Sequence, residues 1–215
     1  MKQSNVHEGS SYAQGLTAHR PFFAAMPFGP ASQLLGSGAK PSTAIERGIN
    51  MVMPPYVANL REKVGHDLLW LPGATAIVLD SSSGQHEVLL VRRSDNNEWT
   101  PVSGVSDPGE DPDITAVREV FEETTVRVRV DRVLWIQALP ASEYVNGDQV
   151  QYFDVAFSCS RISGEARVGD DESSDVRWWR TDDLPPMDQR FVDMIRVASD
   201  GAPGVLLGTD RRQLN

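Results

Sequence analysis

Three glutamates carry the clearest chemical signal in this sequence, because Glu119, Glu122 and Glu123 stand at positions i, i+3 and i+4. In a helix these positions fall within an arc of about 100°, so the three carboxylates would meet on one patch. Like charges held this close raise one another's pKa unless a cation lies among them. Magnesium, a hard divalent cation with oxygen ligands, meets that need and also binds diphosphate oxygens, and manganese is an alternative. The spacing therefore predicts a site for Mg²⁺ or Mn²⁺.

The segment around these glutamates has the pattern of a short helix. Asp111 is a suitable N-cap and Pro112 a suitable first residue, which predicts a helix over residues 112–124. One face of this helix is apolar within an arc of about 120° and is expected to be buried; it comprises Ile114, Val117, Val120 and Phe121. The three carboxylates occupy a separate arc, nearly opposite this apolar face.

Further elements must position that helix, and the hydrophobic pattern predicts them. Val57, Leu60 and Val64 recur at helical spacing after a Pro-Pro pair, which indicates a short amphipathic helix. Strands are expected at 74–80, 87–93, 126–137, 150–159 and 175–180, and a last helix near 186–199. Strands that outnumber the helices and are interrupted by them favour an α/β (α+β) fold with a mixed β-sheet.

The glutamate helix and the loop before it resemble the box motif of the Nudix family. That motif runs Gly, five residues, Glu, seven residues, Arg-Glu, an aliphatic residue, any residue, Glu-Glu, any residue, Gly and an aliphatic residue. The sequence matches it at Gly104, Glu110, Arg118, Glu119, Val120, Glu122, Glu123 and Val126. The segments RRSDNNEWTPVSG and VRWWRTDDLP also resemble the family, so the likeness covers about residues 70–200.

The resemblance implies a fold, an activity and a set of residue roles. The fold would be a Nudix-type α/β/α sandwich with a mixed β-sheet. The activity would be hydrolysis of a diphosphate linkage in a nucleoside diphosphate derivative, such as ADP-ribose, a nucleotide sugar or a modified nucleoside triphosphate. Glu119, Glu122 and Glu123 would bind the metal, with the Gly104 carbonyl as a further ligand. Arg118 would orient a box glutamate, with Glu110 as the first candidate.

A base that activates the attacking water is expected among the acidic residues. Glu122 or Glu123 could accept the water's proton, and similar proteins often place a further acidic residue in a loop before the last strand. In the segment GDDESSDVRWW that residue would be Glu172 first, then Asp171 and Asp170. A plain polar loop is the competing interpretation of this segment.

The chain departs from the motif at one position, where Thr125 replaces the family's last glycine. The residue just past a helix often takes a left-handed conformation, which costs a β-branched residue about 1–2 kcal/mol. The helix exit is therefore expected to differ in shape, while the metal ligands are retained.

Candidates for substrate contacts lie near the box. Arg92 and Arg93 adjoin it, and strand alternation would send one of them to each face, where either could meet a phosphate or simply face solvent. Trp99 could stack on a base or belong to the core. Tyr144 lies in a turn-rich segment that could form a substrate loop or a plain hairpin.

The net charge of −10 bears on the partners of the chain. Residues 1–50 hold four Lys/Arg and two Asp/Glu, a net charge of +2, so the rest of the chain carries −12. This acidity argues against extended nucleic-acid binding, which depends on basic side chains, and leaves a nucleotide-type small molecule as the expected substrate. No apolar run reaches the ~20 residues that span a bilayer, so no membrane partner is expected. A homodimer is one option for assembly.

The chain divides into segments by composition. Residues 1–50, rich in Gly, Ser, Ala and Pro and without periodicity, are expected to be a disordered extension. Residues 51–70 would form a helical lead-in, 71–200 the Nudix hydrolase domain and 201–215 a flexible tail. The lone cysteine, Cys159, fits a reducing compartment and predicts a cytoplasmic location.

Two other functions fit parts of the sequence. A Nudix fold can sense ADP-ribose or another nucleotide without turnover, but such modules usually lose box carboxylates, whereas the box glutamates and Arg118 are all present here. A Nudix isomerase acting on isopentenyl diphosphate would need a catalytic cysteine in its own motif, and Cys159 lies on a predicted strand outside one. Hydrolysis is therefore the preferred hypothesis.

Overall fold

A computed structural model describes residues 53–84, 86–144, 146–201 and 203–208 of the chain. Its helices are α1 (Pro55–Val64), α2 (Pro112–Thr124) and α3 (Gln189–Ser199). Its strands are β1 (Leu69–Asp80), β2 (Glu87–Arg93), β3 (Trp99–Thr100), β4 (Val102–Val105), β5 (Arg127–Ala138), β6 (Ser142–Glu143), β7 (Gln149–Ser163), β8 (Ser173–Arg180) and β9 (Leu206–Leu207). Of the described helices, none is long and apolar enough to cross a membrane. The predicted extension over residues 1–50 lies outside the described residues.

The strands form one mixed sheet with the order β3-β2-β1-β7-β5-β9. β1 runs parallel to β7 over most of its length, from Leu69 opposite Val150 to Leu79 opposite Ser160. β5 and β9 are also parallel, and the remaining pairs are antiparallel. Beside this central order, β4 pairs with β1, β6 with β7 and β8 with β2. The predicted mixed sheet is confirmed.

The two helices α2 and α3 pack on opposite faces of the sheet. Successive strand side chains alternate between faces, so β2 contributes Leu89 and Val91 to the α2 side but Val88 and Leu90 to the α3 side. Each face has its own buried cluster, the first completed by Ala116 and Val120 of α2 and the second by Phe191, Met194 and Ile195 of α3. This arrangement is the predicted α/β/α sandwich.

Most element boundaries lie within three residues of the predicted ones, and the exceptions are the start of β1 and the end of β7, which extends to Ser163. β2 and α2 begin and end where the sequence predicts. β1 begins at Leu69, earlier than predicted, because its first residues pair with β7. Within the segment 201–215, Leu206–Leu207 form β9, and Leu206 lies opposite Trp135 of β5. Residues 209–215 lie outside the described part of the chain.

The predicted lead-in helix is present as α1, and it braces the loop that leads to α2. Val57 of α1 is buried with Leu71 and Val105. The Tyr56 hydroxyl donates a hydrogen bond to the Ser106 carbonyl at 3.0 Å. Because Ser106 directly follows β4, this contact ties α1 to the segment between the sheet and α2.

Candidate active site

Glu119 and Glu123 of α2 are turned toward the rest of the fold while Glu122 stays exposed, and the predicted apolar face is wrong in part. Ile114 and Phe121, expected to be buried, are 55% and 42% exposed, whereas Glu123 is only 6% exposed. The Phe121 ring stays at the surface, with the Arg127 guanidinium 4.4 Å above its centre. Periodicity orders side chains around a helix, but the strands and loops that cover it decide which of them are buried. Here β4 and the segment before β8 cover the glutamate side.

Both ends of α2 also depart from expectation. Asp111 holds the N-cap position, but its side chain makes no capping bond, and only its carbonyl accepts a hydrogen bond from Thr115 N at 3.0 Å. At the other end Thr125 adopts the left-handed conformation, with φ 58° and ψ 8°, so the predicted change of shape is wrong. Thr125 N–H donates to the Phe121 carbonyl at 2.9 Å, and its Oγ1 donates to the Glu165 carbonyl at 2.8 Å. These bonds offset the strain of a β-branched residue in this conformation.

Gly104 and Glu119 are in direct contact. A Cβ added to Gly104 would stand 2.0 Å from both Cδ and Oε1 of Glu119, so any other residue here would displace the Glu119 carboxylate. The antiparallel pairing of Gly104 with Ala74 fixes the backbone under it. Two of the residues predicted to hold the metal are therefore adjacent.

Arg118 connects the box glutamates. Its Nε and Nη2 donate to Oε1 and Oε2 of Glu110, each at 2.9 Å, which is the contact that the resemblance implied. Its Nη1 donates to Glu119 Oε1 at 2.9 Å and to Glu122 Oε2 at 3.0 Å. The hydrogen bonds from Arg118, with a further one from Thr115 Oγ1 at 2.8 Å, lower the pKa of Glu110 to about 2. Glu110 is thus ionised and held in place throughout the neutral range.

Two other carboxylates of the cluster, Glu119 and Glu123, have a raised pKa. Burial raises the pKa of Glu119 to about 7 and the pKa of Glu123 to about 8. The charge of Glu119 adds to the effect on Glu123, as do the charges of Asp170 and Glu172. Glu123 Oε2 accepts a hydrogen bond from Ser173 Oγ at 3.1 Å, and no ion pair to Glu123 is found among the described residues. Glu123 therefore lacks a cationic partner that would favour its ionisation, and for Glu119 the charge of Arg118 only partly offsets the effect of burial.

The donor set suits a hard divalent cation. Glu119 and Glu122 share the Arg118 Nη1 donor, which keeps their carboxylates close together, and Glu123 lies one turn from Glu119. In the part of the chain that the structure describes, no three His, Cys, Asp or Glu side chains have their ligand atoms already gathered around one point. Three features therefore support the fit of a divalent cation to this site. They are the carboxylate oxygen donors, the space above Gly104, and the raised pKa values of Glu119 and Glu123.

Arg93 lies on the carboxylate side of the sheet. It lines a small cavity together with Glu123 and Glu172. The buried Asp95 carboxylate holds the Arg93 guanidinium by two hydrogen bonds, from Nε at 3.0 Å and from Nη2 at 2.7 Å. Tyr144 packs against the buried cluster that contains Val57 and Val105, and its hydroxyl lies 2.6 Å from the hydroxyl of Tyr152. Of the four predicted substrate residues, the structure thus places Arg93 in one cavity with Glu123.

Arg92 and Trp99 lie on the other face. Arg92 alternates with Arg93 along β2 and pairs with Trp99 of β3. Trp99 packs edge-to-face against Trp179 on the α3 side, with ring centres 5.3 Å apart. Arg92 Nε donates to the Asn97 carbonyl at 3.3 Å. The packing therefore favours the interpretation that Trp99 belongs to the hydrophobic core and does not stack on a base.

Cys159 occupies a position without access to solvent. It is fully buried on β7, and burial raises the pKa of its thiol to about 12. A thiol in this state stays protonated at neutral pH and cannot act as a nucleophile. This position removes the basis for the isomerase alternative.

Three residues of the site were not predicted from the sequence. Thr115 bonds Glu110, Asp95 holds Arg93, and Ser173 bonds Glu123. Thr115 stands three residues before Arg118 on α2, so helical spacing could have identified it. Asp95 and Ser173 reach the site through a turn and a β-bulge, which leave no periodic signal in the sequence.

Replacing Asp95 with Asn tests how Arg93 is held. We expect KM to rise by about tenfold with a smaller change in kcat, because Arg93 would lose its charged partner and its fixed orientation. Steady-state kinetics would measure both constants. Asp182→Asn is the matched control, since Asp182 holds Arg180 by the same pair of bonds on an exposed surface. A fall in kcat at constant KM would contradict a substrate-binding role.

Comparison with known proteins places these features in a family. The family model of the NUDIX domain matches residues 70–197. A MutT-like protein of Streptomyces ambofaciens is 30% identical over 116 residues, which cover 54% of this chain and 70% of that protein. A putative 8-oxo-dGTP diphosphatase of Bacillus subtilis is 29% identical over 117 residues, covering 54% and 71% respectively. A crystal structure of UDP-X diphosphatase superposes with a TM-score of 0.52 at 20% identity, covering 71% of this chain and 73% of that one.

The chain belongs to the Nudix family. The matched region extends from the start of β1 into α3 and contains every box residue. The protein is therefore a Nudix hydrolase, of the class that splits diphosphate linkages in nucleoside diphosphate derivatives.

Proposed function

We propose that this enzyme uses Mg²⁺, or Mn²⁺ in its place, to hydrolyse ADP-ribose, a nucleotide sugar or a modified nucleoside triphosphate. Glu119, Glu122 and Glu123 would hold the metal, with the Gly104 carbonyl as a further ligand. The observation that carries this proposal is the Glu119 carboxylate seated directly on Gly104, beside the buried Glu123. A divalent cation bound there would neutralise diphosphate charge and lower the pKa of a bound water.

The protein's own side chains divide the remaining work. Arg118 fixes Glu110 and steadies Glu119 and Glu122, so the glutamates keep their relative positions. Arg93, oriented by Asp95, would contact a phosphate oxygen of the substrate.

The proton of the attacking water needs an acceptor among the nearby carboxylates. Glu172 is favoured over Glu122 and Glu123 for this step. Glu122 and Glu123 are both proposed metal ligands, whereas Glu172 lines the same cavity as Arg93, the residue proposed to contact a phosphate oxygen.

A substrate panel tests the proposal directly. The purified enzyme would be incubated with ADP-ribose, a UDP-sugar, 8-oxo-dGTP, a dinucleoside polyphosphate and coenzyme A, each with Mg²⁺, Mn²⁺ or EDTA. We expect release of a nucleoside monophosphate or another phosphorylated product from at least one compound, and only when the metal is present. The panel includes 8-oxo-dGTP because one relative bears the name of that activity. Tight binding of ADP-ribose without any turnover would instead indicate a sensing module.

A further inference from the structure

The acidic loop, defined here as residues 164–172, lies against the C-terminal end of α2. Arg167 N–H donates to the Thr124 carbonyl at 3.0 Å, and Gly169 N–H donates to the Glu123 carbonyl at 2.9 Å. The last carbonyls of a helix have no partner within the helix, so these bonds satisfy groups that would otherwise need water. The loop is therefore joined to the turn of α2 that carries Glu122 and Glu123.

Gly169 permits this close approach. A Cβ added to Gly169 would stand 1.9 Å from the Glu122 carbonyl oxygen, a backbone atom that cannot move aside without displacing α2. Ala166 in the same loop packs against the buried cluster under α2. Any larger residue at position 169 would lift the loop from the helix end.

Thr125 adds a side-chain bond to the same contact. Its Oγ1 donates to the Glu165 carbonyl at 2.8 Å. Glycine, the family's residue at this position, has no hydroxyl and could not make this bond. The replacement by threonine thus gives the acidic loop an attachment that depends on one oxygen atom.

The far end of the loop is attached to the turn after β2. Ser94 N–H donates to the Glu172 carbonyl at 2.9 Å, and Ser94 Oγ donates to the Asp171 carbonyl at 3.0 Å. Glu172 then lines the cavity that Arg93 and Glu123 also line. Both ends of the loop are held, and Glu172, its last residue, shares the cavity with Glu123.

We propose that Thr125 and Gly169 are positioning residues that hold the acidic loop on α2 and so keep the Glu172 carboxylate beside Glu123 and Arg93. The proposal rests on the role given to Glu172 under the proposed function. It also reverses the expectation from the motif, because restoring the family's glycine at position 125 should harm the enzyme.

The first test compares Thr125→Gly with Thr125→Ser. Thr125→Gly relieves the left-handed strain and removes the bond to Glu165, so the thermal midpoint should change little while kcat falls by about tenfold at nearly constant KM. Thr125→Ser keeps the hydroxyl and should restore kcat. Gly169→Ala should lower kcat by a similar or larger factor. Gly208→Ala, at a position where an added Cβ meets no atom within 4 Å and φ is not positive, is the matched control and should leave kcat unchanged.

The second test separates this proposal from the proposed function. Hydrogen exchange measured by mass spectrometry should be faster at Arg167 and Gly169 in Thr125→Gly than in Thr125→Ser, whatever the substrate turns out to be. In the Glu172→Gln background the effect of Thr125→Gly on kcat should disappear if the two residues act in series. Equal exchange in both variants would overturn the positioning role. A full-sized Thr125→Gly effect in the Glu172→Gln background would overturn the link to Glu172, and an inactive wild type would overturn only the proposed function.

Discussion

Glu122→Gln is expected to lower kcat by about a thousandfold while leaving the thermal midpoint within the error of the wild type. The amide keeps the size of the side chain but removes the negative charge that a divalent cation needs, and losses of this order are usual when an acid–base or metal group is removed. Stability should survive because the Glu122 side chain is about half exposed, at 51%, and its bond to Arg118 is on the surface. Initial rates with Mg²⁺ and a thermal melt would measure the two effects.

Glu62→Gln is the matched control for this substitution. Glu62 is an exposed glutamate on α1, away from α2, so the same chemical change there should leave both kcat and the thermal midpoint unaltered. Near-wild-type turnover in Glu122→Gln would remove Glu122 from the metal site and leave Glu119 and Glu123 as the remaining ligands to examine.

The fold was largely accessible to prediction because its signals are local. The uninterrupted apolar run from Val88 to Val91 is typical of a strand covered on both faces, and the structure divides those residues between the two clusters. The motif spacing likewise located α2 and the Arg118 to Glu110 contact. These features depend on residues that are close together in the sequence.

The environment of the site was less accessible because it is made by segments distant in sequence. Helical periodicity placed the glutamates opposite Ile114 and Phe121, but it could not show that β4 and the acidic loop cover the glutamate side. Thr125 was expected to disturb the helix exit, yet the Glu165 carbonyl, 40 residues along the chain, supplies a compensating bond. The exposure of a helical face is therefore a tertiary property, and so are the raised pKa values that follow from it.

Metal affinity should depend strongly on pH, because the metal requires ionised carboxylates. The pKa of Glu119 is raised to about 7 and that of Glu123 to about 8, both chiefly by burial. A pH of 6 is about one unit below the pKa of Glu119 and about two units below that of Glu123. Each unit lowers the ionised fraction of the carboxyl group about tenfold. We therefore expect the dissociation constant for Mn²⁺ to fall on the order of a thousandfold between pH 6 and pH 9. Calorimetric titration in buffers of different ionisation enthalpy would also detect the protons released.

The free energy of unfolding of the metal-free enzyme should fall as pH rises, whereas the affinity for metal should increase. Both glutamates have an ordinary pKa of 4.5, so the folded protein holds more protons than the unfolded chain between about pH 4.5 and pH 8. The stability that these two protonated glutamates contribute is fully present below their pKa in the unfolded chain. It is lost as pH rises through their pKa values in the folded protein. Urea unfolding in EDTA should show a free energy that declines over this range in the wild type and in Glu62→Gln, and declines less in Glu123→Gln. Identical slopes in Glu123→Gln and the wild type would show that Glu123 is already ionised in the folded protein, and the pH dependence of metal binding would then have to come from Glu119 alone.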